Sequence, residues 1–222
     1  MKHTFLLLMV LVFFPSLFVA CDKENSGDED LKVSALVPIK LGNSWTYKET
    51  HYHSYFDVQE TTIDTFSQTV TGPYSINGVN YYSMEDSKEI QFPNYTRLLF
   101  GNDAYGNMMT YGGFSNIDTL IFNSVYLKKN ATSGEVWTTS GLGMNYEDYS
   151  FIENPCTFKC ISTDTLITTP KGNFHCMAFE DISEEEYLSR FFITVNIGVI
   201  KVESFESDRL MNVRELIDYK VY

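Results

Sequence analysis

Glu49, His51 and His53 alternate along the chain, so in a strand all three side chains leave one face, a geometry that metal sites use. Asp57 shares their parity but sits at the limit of reach for one ion, and no sequence-adjacent ligand completes a triad. The pattern therefore predicts a wet strand face carrying ordinary polar groups, with no metal and no other cofactor. Three more chemistry-bearing residues are Cys156, Cys160 and Cys176. Zinc prefers four ligands, and a Cys-x3-Cys pair with His175 nearby supplies too few. If residues 157–163 form a strand, Cys156 and Cys160 lie about 13 Å apart on one face, too far for a bridge. Cys160–Cys176 or Cys156–Cys176 is then the pair that could close a disulfide, with buried free thiols as the other reading. There is no Gly-x-Ser-x-Gly elbow, phosphate loop or His-Glu-x-x-His helix, and 29 acidic residues offer too many carboxylate pairs to single one out.

A fourth cysteine carries a more specific signal. Met1-Lys2-His3-Thr4 is a short positive region, Phe5 to Phe14 is an apolar run suited to a signal peptide, and Pro15 interrupts it. The run falls short of the roughly 20 residues that span a bilayer as a helix. Leu17-Phe18-Val19-Ala20-Cys21 resembles a lipobox, in which cleavage after Ala20 leaves Cys21 as an acylated N-terminus. Residues 1–20 thus read as a lipoprotein signal peptide and residues 21–35 as the lipidated Cys with an acidic flexible tether. In that tether Asp22-Lys23-Glu24-Asn25-Ser26-Gly27-Asp28-Glu29-Asp30 has almost nothing to bury. Its spacing superficially matches a calcium loop, but Val33 stands where the loop needs Glu. An acidic run directly after the lipidated Cys resembles a surface-display signal of some Gram-negative bacteria, whereas others read Asp right after the Cys as inner-membrane retention. The expected location is the outer membrane, surface-exposed or facing the periplasm.

The chain carries 16 basic and 29 acidic residues, a formal net charge of −13. Such a surface repels phosphates, so nucleic acid and anionic lipid are poor partners. The expected membrane contact is through the N-terminal acyl chains.

The elements that must position these residues are strands. Residues 36–222 have the length of one domain, rich in Tyr, Phe, Val, Ile and Thr in short runs broken by Gly, Asn, Asp and Pro. Asn77-Gly78 is suited to a two-residue hairpin turn between Tyr74-Ser75-Ile76 and Val79-Asn80-Tyr81-Tyr82. Residues 97–100 and 107–111 flank a longer turn, and residues 166–169 and 173–177 flank Pro170-Lys171-Gly172. At the C-terminus Met211, Val213, Ile217, Tyr219 and Val221 share one parity and predict a buried face, with Arg214, Asp218 and Lys220 on the wet one. Glu215-Leu216 breaks that alternation. The expected partner of this strand is Val199 to Phe205, across Ser207-Asp208-Arg209. Ser183-Glu184-Glu185-Glu186 reads as a capping box opening one short helix through Arg190. The fold class is mainly β: a single antiparallel meander forming a curved sheet or half-barrel with one short helix.

Leu41-Gly42-Asn43-Ser44-Trp45-Thr46-Tyr47, Gly134-Glu135-Val136-Trp137, Thr169-Pro170-Lys171-Gly172-Asn173-Phe174-His175-Cys176, Gly198-Val199-Ile200-Lys201-Val202-Glu203 and Glu215-Leu216-Ile217-Asp218-Tyr219 resemble, in order and spacing, an uncharacterised family of secreted or lipid-anchored bacterial β-proteins. The resemblance implies a curved sheet broadly similar to periplasmic lipoprotein carriers, which hold acyl chains on the concave face.

Three functions follow as expectations. The first is a non-enzymatic cell-envelope lipoprotein that binds an apolar ligand or a glycan on the concave sheet face. The second is a structural or accessory surface protein with a filled core that contacts a protein partner, and the third a cryptic hydrolase. Tyr52, Tyr55, Tyr81, Tyr82, Tyr95, Tyr105 and Tyr111 are the aromatic candidates for a binding platform. Asp118-Thr119-Leu120 and Asp164-Thr165-Leu166 resemble bacterial O-glycan attachment sites, which makes Thr119 and Thr165 candidate modification positions.

Overall fold

The computed structural model describes residues 34–55, 58–87, 97–115, 118–145 and 150–222. The signal segment, Cys21, the tether up to residue 33, Asp57 and Tyr95 lie outside them.

Alternating, β-branched and aromatic sequence gives strands β1 (Ser44–Tyr55), β2 (Val58–Ile76), β3 (Val79–Asp86), β4 (Arg97–Asn102), β5 (Met108–Phe114) and β6 (Thr119–Leu127), a first up-and-down meander. A second is made by β7 (Val136–Met144), β8 (Phe151–Thr169), β9 (Gly172–Asp181), β10 (Tyr187–Thr194), β11 (Gly198–Glu206) and β12 (Arg209–Lys220). Pairing of β1 with β12 joins them into one antiparallel sheet in the order β6-β5-β4-β3-β2-β1-β12-β11-β10-β9-β8-β7. Its two edges are consecutive in the chain and meet through side chains. The Ser124 hydroxyl lies 2.5 Å from that of Thr139 and accepts from the Ser140 amide, and the Trp137 indole donates to the Tyr126 carbonyl. The described residues from 34 onward thus form a nearly closed barrel, further round than the half-barrel expected.

The hairpins fall where turn chemistry placed them. Asn77 and Gly78 both take positive φ, 52° and 79°, and Ser207 and Asp208 do the same between β11 and β12. The expected helix is a correction: residues 183–186 form a bend, and Tyr187 to Thr194 are strand β10. Ser183 caps no helix. Its hydroxyl donates to the Asp181 carboxylate and accepts the Thr157 amide. The alternating run from Tyr187 to Ile193 is hydrogen-bonded to β11, and from Ser189 to β9 as well, and that tertiary pairing outweighs the weak preference of one short turn.

A second correction concerns the last strand. Thr46 faces Asp218 but Tyr47 faces Leu216, so Ile217 is the extra residue of a β-bulge. The bulge flips the parity above it: Leu216 is fully buried, Ile217 is half-buried, and Arg214 lies on the inner face opposite Glu49. The Glu215-Leu216 break in the sequence pattern is the trace of this bulge.

Inside the barrel, Trp45 and Tyr47 pack with Phe66, Trp137, Phe158 and Phe179. The rings touch in two groups: Tyr47–Phe66 at 5.6 Å, and Tyr126–Phe158 at 4.9 Å with Trp137 5.9 Å from both Phe158 and Phe179. Leu36 and Val37 enter the same core. The segment that carries them is tied down by Leu36 N to Gly106 O, Asn102 Nδ2 to Val37 O and Ile39 N to Asn102 Oδ1. Packing begins before residue 36, because Ala35 is buried and exchanges hydrogen bonds with Asn196. The β11–β12 ladder begins only at Lys201–Glu215. Beside Gly198, where it is missing, Trp45 Nε1 donates to Ile197 O at 2.5 Å and Tyr47 Oη to Val199 O at 3.1 Å. A Cβ at Gly198, which has φ +110°, would meet the Trp45 ring at 3.1 Å.

Leu216→Ala is expected to lower the unfolding free energy by about 2–5 kcal/mol, Ile217→Ala by less, and Asp218→Ser to leave the midpoint nearly unchanged. Chemical denaturation followed by Trp fluorescence ranks the three, and a larger loss at Ile217 than at Leu216 would contradict the bulge.

Candidate functional site

Glu49, His51 and His53 leave one face of β1, as their spacing requires, but it is the face of Trp45 and Tyr47 and not a wet one. Glu49 is buried opposite Arg214, whose Nη2 lies 3.2 Å from Glu49 Oε1. The guanidinium stands 4.5 Å from the centre of Phe66 and 5.7 Å from that of Tyr47, so ring faces and a carboxylate share its charge. His51 Nε2 is 3.3 Å from Glu49 Oε2, and the His51 and His53 rings stack at 6.1 Å. Arg214 Nε is buried with no hydrogen-bond partner among the described residues. Burial pushes the Tyr47 phenol well above its ordinary range, against the pull of Arg214, so it stays protonated as the donor to Val199. Among the described residues no three His, Cys, Asp or Glu side chains converge as metal ligands would. The arrangement is an ion pair on an aromatic floor, suited to fixing the register of β1 against β12.

The pairing of Cys160 with Cys176 is not formed. Cys160 stands opposite Phe179 and Cys176 opposite Thr165, because register shifts between Cys160 and Thr165 offset the two strands. Cys160 Sγ donates to Ser162 O, and Cys176 Sγ lies 3.4 Å from the Thr194 hydroxyl. Cys156 is a free thiol too, and burial raises all three above the ordinary thiol pKa, which favours the protonated form. Of the two Asp-Thr sites, Thr119 is exposed at the start of β6, while Thr165 is half-buried. Asp164 pairs with His175 at 2.7 Å, both side chains mostly exposed to water.

A concave site opens on the wall of the barrel. Among the described residues β3 and β4 pair only at Tyr82–Phe100 and Ser83–Leu99 and then fork. In the fork lies a groove of about 650 Å³, lined by Val79 to Tyr82, Phe100 to Asn102, Tyr111, residues 121–123 of β6, and Ile39. Tyr81 and Tyr111 form a V there, with ring centres 5.3 Å apart and planes at 58°. A Cβ at Gly101 would come 2.7 Å from the Tyr111 ring, so the bare glycine lets that ring lie against β4. A second depression of about 410 Å³ lies beside the β6–β7 seam, lined by Ser124, residues 138–140, Glu153 and Pro155. Of the tyrosines singled out from sequence, Tyr81, Tyr82 and Tyr111 meet in the groove, while Tyr52 and Tyr105 are exposed and line neither depression. Asn80, Phe122 and Asn123 were not legible as site residues. They come from strands far apart in sequence, and no motif links them.

Two solved structures are similar to the chain. One, from Bacteroides fragilis, is described as an exported protein with a YmcC-like fold; it is 13% identical with a TM-score of 0.44, over 84% of this chain and 99% of that one. The other, from Parabacteroides distasonis, is described as a lipoprotein; it is 12% identical with a TM-score of 0.39, over 84% of this chain and 99% of that one. No family model and no curated protein matches the chain.

Arg214→Ala removes the cation opposite a buried carboxylate and is expected to cost about 1–3 kcal/mol, less than a fully enclosed pair because both groups keep some water contact. Glu49→Gln in the same background should recover part of the loss in a denaturation cycle. A loss in the double variant equal to the sum of the two single losses would show that the two side chains are not coupled.

Proposed function

We propose that this chain is a lipid-anchored, non-enzymatic envelope protein whose barrel is a filled, rigid support that presents its outer surface to a partner. The observation that carries this reading is the lumen. Trp45, Tyr47, Phe66, Phe158 and Phe179 occupy the concave face and pack on one another, and Leu36 and Val37 join them. Beyond this apolar floor the same face turns to Glu49, His51 and Arg214, a polar end unsuited to an acyl chain. An apolar ligand on the concave face, the first expectation from sequence, would have to displace the core. Glu49, the buried carboxylate on that face, is engaged by Arg214, which speaks against its use as an acid or base by a hydrolase.

The anchor rests on Leu17-Phe18-Val19-Ala20-Cys21, and the acidic run that follows favours the outer membrane and its outer face. Several acyl chains at about 0.8 kcal/mol per buried CH₂ suffice for stable attachment. A ligand between strands is the second reading, favoured by the groove between β3 and β4.

Native mass spectrometry of the mature protein from its own envelope should find acyl chains on Cys21 and no further lipid held in the barrel. Cys21→Ser should leave the protein unprocessed or released. A stoichiometric lipid retained by the soluble domain would overturn the filled-support reading, and unchanged membrane association of Cys21→Ser would overturn the anchor. If Asp-Thr-aliphatic sites carry O-glycans in this protein, peptide mapping should find the added mass on Thr119 rather than on half-buried Thr165.

A further inference from the structure

The groove between β3 and β4 borders the core through Ile39, Tyr82 and Phe100, and its chemistry narrows what can occupy it. No residue lining it is Asp, Glu, Lys, Arg or His. A phosphate, carboxylate or ammonium entering it would lose water without meeting a counter-ion. Its walls are instead the V of Tyr81 and Tyr111, with Phe122 nearby. Four hydrogen-bonding groups are unused among the described residues: the amides of Asn80 and Asn123 and the hydroxyls of Tyr81 and Tyr111. Asn102, at the same groove, shows the contrast. Its amide is committed at both ends, accepting from Ile39 N and donating to Val37 O.

Each free amide offers a donor and an acceptor side by side, the complement of neighbouring hydroxyls on a sugar ring. A tyrosine face offers the apolar surface that packs on the C–H face of the same ring. An acyl chain would cover the aromatic walls but strand these polar groups, a cost that hydroxyl-bearing ligands avoid. The volume of about 650 Å³ falls within the range of small-ligand sites. We propose that the β3–β4 groove binds a neutral oligosaccharide, with Tyr81 and Tyr111 packing on sugar faces and Asn80 and Asn123 hydrogen-bonding their hydroxyls. Gly101 is a positioning residue, since it sets where the Tyr111 ring lies.

The test uses the mature protein and a panel of neutral gluco-, manno-, galacto- and N-acetylglucosamine oligosaccharides, with palmitate and polygalacturonate as comparators. Amide NMR resonances of Asn80 and Asn123 report the site, and calorimetry the affinity. At least one neutral oligosaccharide should shift both resonances. Asn123→Ala and Tyr81→Ala should each weaken that binding about tenfold, the loss expected for one good contact, at unchanged Tm for Asn123→Ala. Gly101→Ala should weaken it by displacing Tyr111. The proposal is overturned if no panel member shifts these resonances at millimolar concentration, if the Asn80→Ala, Asn123→Ala double variant binds as well as wild type, or if palmitate or polygalacturonate shifts them instead.

Discussion

Two six-stranded meanders, connected in sequence only through Lys128 to Glu135, become one barrel because β1 pairs with β12. A sheet this wide must either curl upon itself or leave long edges exposed. The β1–β12 ladder supplies the curl, since it joins the middle of the sheet while the ends of both meanders swing round to meet. β1 also delivers the side chains that fill the space thus enclosed. Trp45 and Tyr47 are almost wholly buried, and their polar tips reach the carbonyls of Ile197 and Val199, where the β11–β12 ladder is missing. One strand therefore pairs on both edges, packs inward and mends the splayed start of the β11–β12 joint.

The seam opposite β1 is held by different means. Ser124 and Thr139, and Trp137 with the Tyr126 carbonyl, join β6 to β7 without a ladder, and Lys128 and Glu135 pin the connection at 2.8 Å. No ladder joins the backbones of β6 and β7 among the described residues, so side chains carry this seam. With the lumen filled by side chains, concave space is left where neighbouring strands diverge. The β3–β4 fork is such a place, with only two ladder positions among the described residues before the strands part.

Strand identity was legible because it depends on local chemistry. Asn77-Gly78 turned as its dihedral preferences demand, and the hairpins at residues 97–111, 166–177 and 199–221 followed from turn residues between alternating runs. Ser183 to Arg190 misled for the same local reason: a capping box is a real helix signal, but β9 and β11 gave the chain more hydrogen bonds as a strand. Ile217 misled because a single inserted residue exchanges the two faces of a strand. The tyrosines of the groove were legible only as members of a longer set, since parity cannot tell which aromatic rings from distant strands will meet.

The amino-acid sequence by itself determined the anchor motif, the acidic surface, the strand-and-turn grammar and the shared face of Glu49, His51 and His53, all properties of neighbouring residues. Tertiary structure alone decided that this face points into the barrel, that Arg214 crosses to meet Glu49, that Cys160 and Cys176 sit out of register, and that Asn80, Tyr111 and Asn123 share one groove. Each of these depends on which strands become neighbours and at what offset. A bulge or fork shifts that offset by one residue, and one residue is enough to turn a side chain from water to core.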